Sequence, residues 1–256
     1  RGLGDVYKRQ ASHLPQNYPA ALVRDGLKGA RIGVLRFAYE RDSTDPEIVQ
    51  IFMTAVEDLR RQGATIIDPG VIDGLSEIRR QPGVGPCMGF KYDINQYLAG
   101  HGDRVPVKSL AEIIKSRRFH PSVQVRLEQA EAGVVNGPET DACKAEMAYR
   151  EQVRAAVTKT MDAQNIDAWV YPTWSNPPRL IGDLNTPGGD NSQFFSPTTG
   201  FPAIQVPMGY SRGGRLPAGI TFFGRAWSEP ALFKYAYAYE QATRHRRSPD
   251  STPALR

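Results

Sequence analysis

The sequence has very few cysteines. Cys87 and Cys143 are the only two in 256 residues, and they stand far apart in the chain. Neither belongs to a C-x-x-C pair or to a Cys/His spacing suited to zinc. We therefore expect no stabilising disulfide and no metal, and this usage fits a reducing compartment such as the cytoplasm. Cys87 could act as a nucleophile with His101 as its base, but an isolated cysteine more commonly packs as a small apolar side chain.

Long apolar runs and strong charge are also missing. No stretch approaches the roughly 20 apolar residues that a membrane-spanning helix needs. The formal net charge is +5, which is weak for a nucleic-acid-binding protein. The basic clusters at 117–118 and 244–247 contain no interleaved aromatic residues. Surfaces that bind single-stranded nucleic acid commonly do contain them. We expect neither a membrane nor a nucleic acid as partner.

The opening stretch, RGLGDVYKRQ, differs from the rest of the sequence. It begins with Arg1 rather than methionine and shows no apolar periodicity. We interpret residues 1–10 as a non-native leader and base the expected fold on residues 11–256.

The first half contains a strand–helix–strand pattern. Arg31–Leu35 is typical of a short buried strand, and Thr44 with Pro46 predicts the capped start of a helix. Gly63 ends that helix, and Ala64–Ile67 predicts a second strand. This spacing is typical of a βαβ unit with parallel strands. The apolar face of the helix comprises Ile48, Phe52, Ala55, Val56 and Leu59.

The middle of the chain, from about 75 to 164, is mainly helical in pattern. The predicted helices are Leu75–Arg80, Phe90–Leu98, Leu110–Ser116, Val123–Glu131 and a long helix from Pro138 to about Gln164. We expect one side of the long helix to face inward. Its members are Ala142, Ala145, Tyr149, Val153 and Ala156.

The last third returns to strands. Ala168–Tyr171, Ala203–Met208 and Ala218–Phe223 are the predicted strands, and a long loop spans Thr173–Asn191. Ser228 is the predicted cap of a final helix. Its inward residues are Leu232, Ala236 and Tyr239. The expected fold class is α/β, with a mixed, largely parallel β-sheet flanked by helices.

One motif suggests a nucleophile. Ser211 lies in a G-x-S-x-G pattern, and Glu229, Glu240 and His245 follow it in the order of an α/β-hydrolase triad. A nucleophile elbow requires a helix directly after the serine, but here a turn leads into another strand. We therefore interpret Ser211 as an exposed turn residue, and a Ser-His hydrolase remains the less favoured alternative.

Four segments of the last third occur in a specific order. They are DAWVYPT (167–173), SPTTGFPAIQVPMGY (196–210), LPAGITFFGRAWSE (216–229) and ALFKYAYAYEQATRHRRSP (231–249). Together they resemble the C-terminal half of the amidase signature family. The segments GLKGARIGVLR (26–36), FKYDINQYL (90–98) and SLAEII (109–114) resemble the middle of that family. The resemblance covers about 14–249.

The resemblance implies hydrolysis or transfer of amides by a serine, a second serine with a cis peptide bond, and a lysine. In the family these residues precede the region similar to 26–36, and this sequence has no matching Gly/Ser-rich segment. We therefore expect residues 11–256 to be the C-terminal portion of a single amidase domain, with an incomplete sheet. No catalytic residue is carried over, and the chain alone is expected to be inactive. We expect the central strand at 220–223 to need partners from a missing half.

The resemblance also implies a wall of the substrate pocket. It places Pro172, Thr173, Thr198, Thr199, Gly200 and Phe201 near the substrate. Gly200 would permit close backbone approach, although glycine and proline there could equally serve only to shape a turn. Many relatives have asparagine where this chain has Pro197, so the substrate is left open.

The resemblance therefore favours part of an amidase that acts on a small-molecule amide, without cofactor or metal. The alternative is a catalytically inactive, amidase-like protein that serves in binding or as a partner subunit. In either case a homodimer is possible.

Overall fold

A computed structural model describes residues 13, 17–80, 87, 89–133, 137–183 and 185–248. The interpretation of residues 1–10 as a leader lies outside this part of the chain. The described residues form two compact units. The first comprises those up to Gly74 and from Arg154 onward, and the second comprises those from Leu75 to Val153.

A five-stranded sheet forms the centre of the first unit. The strands are β1 (Arg31–Val34), β2 (Thr65–Ile67), β3 (Ala168–Pro172), β4 (Ala203–Ser211) and β5 (Leu216–Phe223). Their order across the sheet is β2-β1-β3-β5-β4. Every strand expected from the sequence is present, within a few residues at its ends.

The sheet is mixed, as expected. β1 pairs in parallel with β2 and β3, whereas β5 pairs antiparallel with both β3 and β4. Antiparallel pairing therefore contributes as many strand pairs as parallel pairing, more than a largely parallel sheet would have. The expectation that β5 lacks partners is wrong, because β3 and β4 occupy its two edges. A hairpin between β4 and β5 supplies one of these partners locally.

Helices occur in both units. They are α1 (Pro46–Arg61), α2 (Leu75–Arg80), α3 (Phe90–His101), α4 (Leu110–Ser116), α5 (Gln124–Ala132), α6 (Asp141–Gln164), α7 (Ser196–Thr199) and α8 (Glu229–Thr243). The predicted helices of the middle segment are confirmed. The predicted inward side of α6 is only partly correct, because Val153 is buried and Tyr149 is exposed, whereas the other three predicted residues are half-buried. The fully buried residues of α6 are Cys143, Val153, Val157, Thr160 and Met161.

The two faces of the sheet are covered by different elements. Val170 and Phe222 belong to a core cluster with the buried faces of α1 and α8. Because strand side chains alternate, Trp169 and Phe223 point to the opposite face. There Phe223 packs against Phe195 and Phe201, whose ring centroids lie 5.5 and 6.3 Å from its own.

The start of α1 is fixed by a cap and an ion-pair network. The cap is Asp45 rather than Thr44, because the Asp45 carboxylate accepts hydrogen bonds from the backbone N–H groups of Glu47 and Ile48. Arg212, in the β4–β5 turn, forms ion pairs with both Asp45 and Glu47. The five residues predicted for the apolar face of α1 are all buried.

Removal of this cap gives a pH-dependent loss of stability. Burial raises the Asp45 pKa, but the hydrogen bonds from Arg212 and the helix N–H groups outweigh it, so the net pKa is lowered. The stabilising contribution is full above about pH 4 and is lost as pH falls through the lower folded-state pKa. We expect Asp45→Ala to cost about 1–2 kcal/mol at pH 7.

Chemical denaturation between pH 2 and pH 7 tests this expectation, with Asp45→Asn as the matched control. Asparagine keeps the cap but cannot ionise, so this variant should cost less at neutral pH and lose the acid dependence due to Asp45. If the alanine variant is as stable as the wild type at pH 7, the cap does not hold α1.

The second unit consists of α2–α5 and the first part of α6. A disulfide joins Cys87 to Cys143, so the expectation of no disulfide is wrong. The two cysteines are remote in sequence, and no local pattern indicates that Cys87 lies beside α6. In the described residues, no helix is long and apolar enough to cross a membrane.

Candidate functional site

The carboxyl end of β3 is the starting point of the candidate site. Pro172 is the last residue of β3 and pairs with Ile220 of β5. The backbone N–H of Thr173 then donates to the Gly219 carbonyl at 2.8 Å. The Thr173 and Thr221 hydroxyl oxygens lie 2.8 Å apart. These contacts extend the register of β3 by one residue and fix the orientation of the Thr173 side chain.

The loop after Thr173 is held against the strand end. Asn191 closes it, donating its backbone N–H to the Thr173 carbonyl and its side-chain amide to the Pro172 carbonyl. The side-chain amide of Asn176 donates to the Ser43 carbonyl at 2.8 Å. Gly189 has a φ of +70°, and a Cβ there would lie 2.3 Å from Asn176 Oδ1. Glycine is therefore required at this close approach.

A cavity of about 760 Å³ opens beside this loop. We call it the strand-end cleft. Its apolar lining includes Ile48, Val206, Pro207, Pro217 and Ala218. Its polar lining consists of Thr173, Asn176, Arg179 and Gln205, and Trp174 contributes an indole ring that is 46% exposed. The volume is typical of a small-molecule site.

The chemistry of the cleft is that of binding rather than proton transfer. Hydroxyl, amide and guanidinium groups of Thr, Asn, Gln and Arg donate or accept hydrogen bonds, and these side chains do not commonly serve as general acids or bases. Tyr171, at the end of β3, is buried; burial and nearby Asp190 raise its pKa, so it also stays protonated. Among the described residues, no group of three or more His, Cys, Asp or Glu side chains could hold a metal ion.

The structure separates the predicted site residues into two places. Thr173 lines the strand-end cleft, and Pro172 supports it from the strand. The residues from Thr198 to Phe201 do not line it. Ala203, which follows them, is aligned with Phe223 and Trp169 at the opposite, amino end of β3.

The turn at 198–201 is shaped by its own contacts. The Thr199 hydroxyl donates to the Phe195 carbonyl at 2.7 Å, and Thr198 is half-buried. Gly200 has a φ of +68°, but a Cβ there would meet only Arg154 Nη2, at an ordinary 3.6 Å. Its backbone conformation, not the expected close approach, is what favours glycine.

The proposed triad around Ser211 does not form. Ser211 is fully buried at the end of β4, where its hydroxyl donates to the Leu216 carbonyl at 3.4 Å. His245 lies 3.8 Å from Asp58 and packs near Tyr239. The interpretation of Ser211 as an exposed turn residue is wrong, because β4 extends as far as this serine. Burial and the absence of a following helix exclude the nucleophile elbow as well.

Replacing Ser211 with alanine should have a small effect. The one hydrogen bond that its hydroxyl makes is long, so we expect a loss of at most about 1 kcal/mol in the free energy of unfolding. Ligand binding at the strand-end cleft should be unchanged. Denaturant titration and a binding titration of the same variant check this. A loss of ligand binding with retained stability would return Ser211 to the site.

Most residues of the cleft were not predicted from the sequence. Trp174, Asn176, Arg179 and the β5 residues Ala218 and Gly219 were not expected to be site residues. A signal was present in the Pro/Gly-rich loop from Thr173 to Asn191, since loops of this length in compact domains are commonly functional.

Comparison with known proteins identifies the family. The Amidase family profile matches residues 5–233, so the chain belongs to the amidase family. A probable amidase from Arabidopsis thaliana is 28% identical over 261 residues, covering 96% of this chain and 45% of that protein. One of the subunits of glutamyl-tRNA(Gln) amidotransferase, from Synechococcus sp., is 26% identical over 239 residues, covering 88% and 47%.

Solved structures agree with this assignment. An amidase family protein from Bacillus anthracis matches with a TM-score of 0.70 at 25% identity, covering 98% of this chain and 45% of that chain. The native peptide amidase from Stenotrophomonas maltophilia matches with a TM-score of 0.67 at 29% identity, covering 96% and 50%. The chain spans about half the length of the relatives it matches.

Proposed function

We propose that this chain provides the substrate-binding wall of an enzyme that hydrolyses amides, and that the strand-end cleft is part of that wall. The observation that carries the proposal is the placement of Thr173. This residue belongs to a segment that resembles the family, and its side chain lines a cavity large enough for a small amide. Ligands commonly bind beyond the carboxyl ends of strands in open α/β sheets.

The lining indicates the type of substrate. Ile48, Val206 and Ala218 offer apolar surface to an aryl or branched aliphatic group. Thr173, Asn176 and Gln205 can exchange hydrogen bonds with the carbonyl and N–H of the amide itself. The cleft would thus orient a neutral amide with an apolar substituent.

We propose that the nucleophile is supplied by residues outside these 256, through the serine, cis-serine and lysine of the amidase signature. Amide hydrolysis needs an activated nucleophile and donors for the oxyanion. Two facts support this proposal. Ser211 is buried and Cys87 is in a disulfide, so neither alternative nucleophile is available. On this proposal residues 11–256 belong to one amidase domain.

The turn at 198–201 is the second part of the proposed wall. Thr198, Thr199, Gly200 and Phe201 lie in a segment similar to the family, and Gly200 is exposed. Their separation from Thr173 along the strands means that one small ligand does not contact both groups within this cleft. A larger substrate, or a second subsite, would be needed to engage both.

Tryptophan fluorescence tests binding at the cleft. The chain has three tryptophans: Trp169 is buried, whereas Trp174 and Trp227 are 46% and 44% exposed. Titration with benzamide should change the emission of the wild type. We expect Trp174→Phe to abolish the change, because this indole lines the cleft. Trp227→Phe is the matched control and should retain it.

Turnover by the chain alone tests whether the nucleophile is external. We expect the 256-residue chain alone to hydrolyse aryl amides no faster than buffer while still binding benzamide. Benzamide binding also persists if the parent protein transfers amides rather than hydrolysing them. Hydrolysis above the buffer rate would contradict an external nucleophile. If benzamide changes the emission of neither the wild type nor the two Trp variants, it does not bind, and this would contradict the cleft.

A further inference from the structure

The second unit has little apolar packing. Among its described residues, only Leu75, Leu98, Leu110, Cys143 and Val153 are buried. Its helices also carry large apolar side chains that remain exposed, including Phe90, Tyr97, Val125 and Met147. By contrast, the first unit has an extended core around the sheet. A small apolar core makes a covalent cross-link a large part of the stability of a small unit.

The disulfide encloses most of this unit. Cys87 precedes α3 and Cys143 is near the start of α6, a sequence separation of 56 residues. The loop closed by the bond therefore contains α3, α4 and α5. Cross-links that close long loops remove the most conformational freedom from the unfolded chain. Those three helices are therefore the elements that the bond constrains in the unfolded chain.

A carboxylate on α6 also binds the backbone of Cys87. The backbone N–H of Cys87 donates to Glu146 Oε2 at 3.0 Å, and Glu146 lies one helical turn after Cys143 on α6. Arg150 Nε donates to the other carboxylate oxygen at 3.1 Å. After reduction, this contact would keep Cys87 close to the Cys143 thiol and favour re-formation of the disulfide.

We propose that the Cys87–Cys143 disulfide is a reversible, redox-sensitive brace, whose reduction loosens α3–α5 and leaves the sheet of the first unit folded. Cys143 is only 4% exposed, whereas Cys87 is half-buried. The thiolate of an external dithiol therefore attacks Cys87 Sγ, and Cys143 leaves as a thiolate that takes up a proton. The second thiol of the reductant then attacks the mixed disulfide, which releases Cys87 and oxidises the dithiol.

Hydrogen exchange of the full chain, with and without dithiothreitol, tests the brace. We expect exchange in α3–α5 to become about tenfold faster or more on reduction, while peptides from β1, β3 and β5 keep their protection. Cys87→Ser with Cys143→Ser should behave like the reduced wild type. If that double variant does not fold, the reduced wild type still gives the comparison. Unchanged exchange in α3–α5 would overturn the proposal, and so would loss of protection throughout the sheet.

Alkylation supplies the second measurement. In air-oxidised protein both thiols should resist alkylation, and both should react after reduction and unfolding. Glu146→Ala should slow re-oxidation, whereas Glu77→Ala, an exposed carboxylate of the same unit paired with Arg80, should not. Ready alkylation of both cysteines without reductant would contradict the bond, and equal re-oxidation rates in both variants would contradict the role of Glu146.

Discussion

Replacement of Gly33 by alanine is expected to destabilise the sheet severely. A Cβ at this position in β1 would lie 2.4 and 2.5 Å from two ring atoms of Trp169. The indole is fully buried, and a Cβ added at Gly70 would also lie 2.7 Å from this ring, so the ring is closely packed against both glycines and has little room to move. Overpacking typically costs about 1–3 kcal/mol, and we expect the upper end, about 3 kcal/mol, because the neighbours have little room to move.

Thermal denaturation measures this effect. At about 2–4 °C per kcal/mol for a chain of this size, the Gly33→Ala variant should melt at least about 6 °C below the wild type. Gly100→Ala is the control, because its Cβ in α3 would meet nothing within 4 Å. That variant should melt at or above the wild-type temperature. Equal melting of Gly33→Ala and the wild type would show that the indole does not occupy this position.

Filling part of the strand-end cleft should weaken amide binding without harming the fold. Gln205 lines the cleft and is exposed on β4. We expect Gln205→Phe to occupy part of the cavity and weaken benzamide binding by about tenfold or more, or about 1.4 kcal/mol. The melting temperature should stay close to that of the wild type, because an aromatic residue is well accommodated on an exposed strand position.

Ala203→Phe is the matched control for this variant. Ala203 is exposed on the same strand and, two residues away, on the same side of it, but it does not line the cleft. Benzamide should therefore bind to Ala203→Phe as it binds to the wild type. Equal weakening in both variants would mean that the ligand binds elsewhere on β4, and no weakening in either would remove the cleft from the proposed site.

The local patterns in the sequence predicted the elements of the first unit well. The apolar face of α1 and the inward residues of α8 are buried as expected. A helical period of apolar residues carries this information within one element. The same method was only partly correct for the inward side of α6, where Tyr149 is exposed and Thr160 is buried. Burial on α6 depends on neighbouring elements that the pattern of α6 does not specify.

Contacts between remote segments were the main source of error. The Cys87–Cys143 bond, the burial of Ser211 and the pairing of β5 with β3 all depend on tertiary packing rather than on local pattern. The cleft is of the same kind, since its walls come from α1, β4, β5 and the loop after β3. Resemblance to the family predicted Thr173, but no spacing in the sequence placed it beside Gln205.

The position of a bound amide tests the central claim most directly. The measurement is a crystal structure of the chain soaked with benzamide, a small neutral amide with an aryl group. We predict that the ligand lies in the strand-end cleft, with its amide in hydrogen-bond contact with Thr173, Asn176 or Gln205 and its ring against Val206 or Ala218. A ligand bound only against the turn at 198–201, with the cleft empty, would contradict the proposed site.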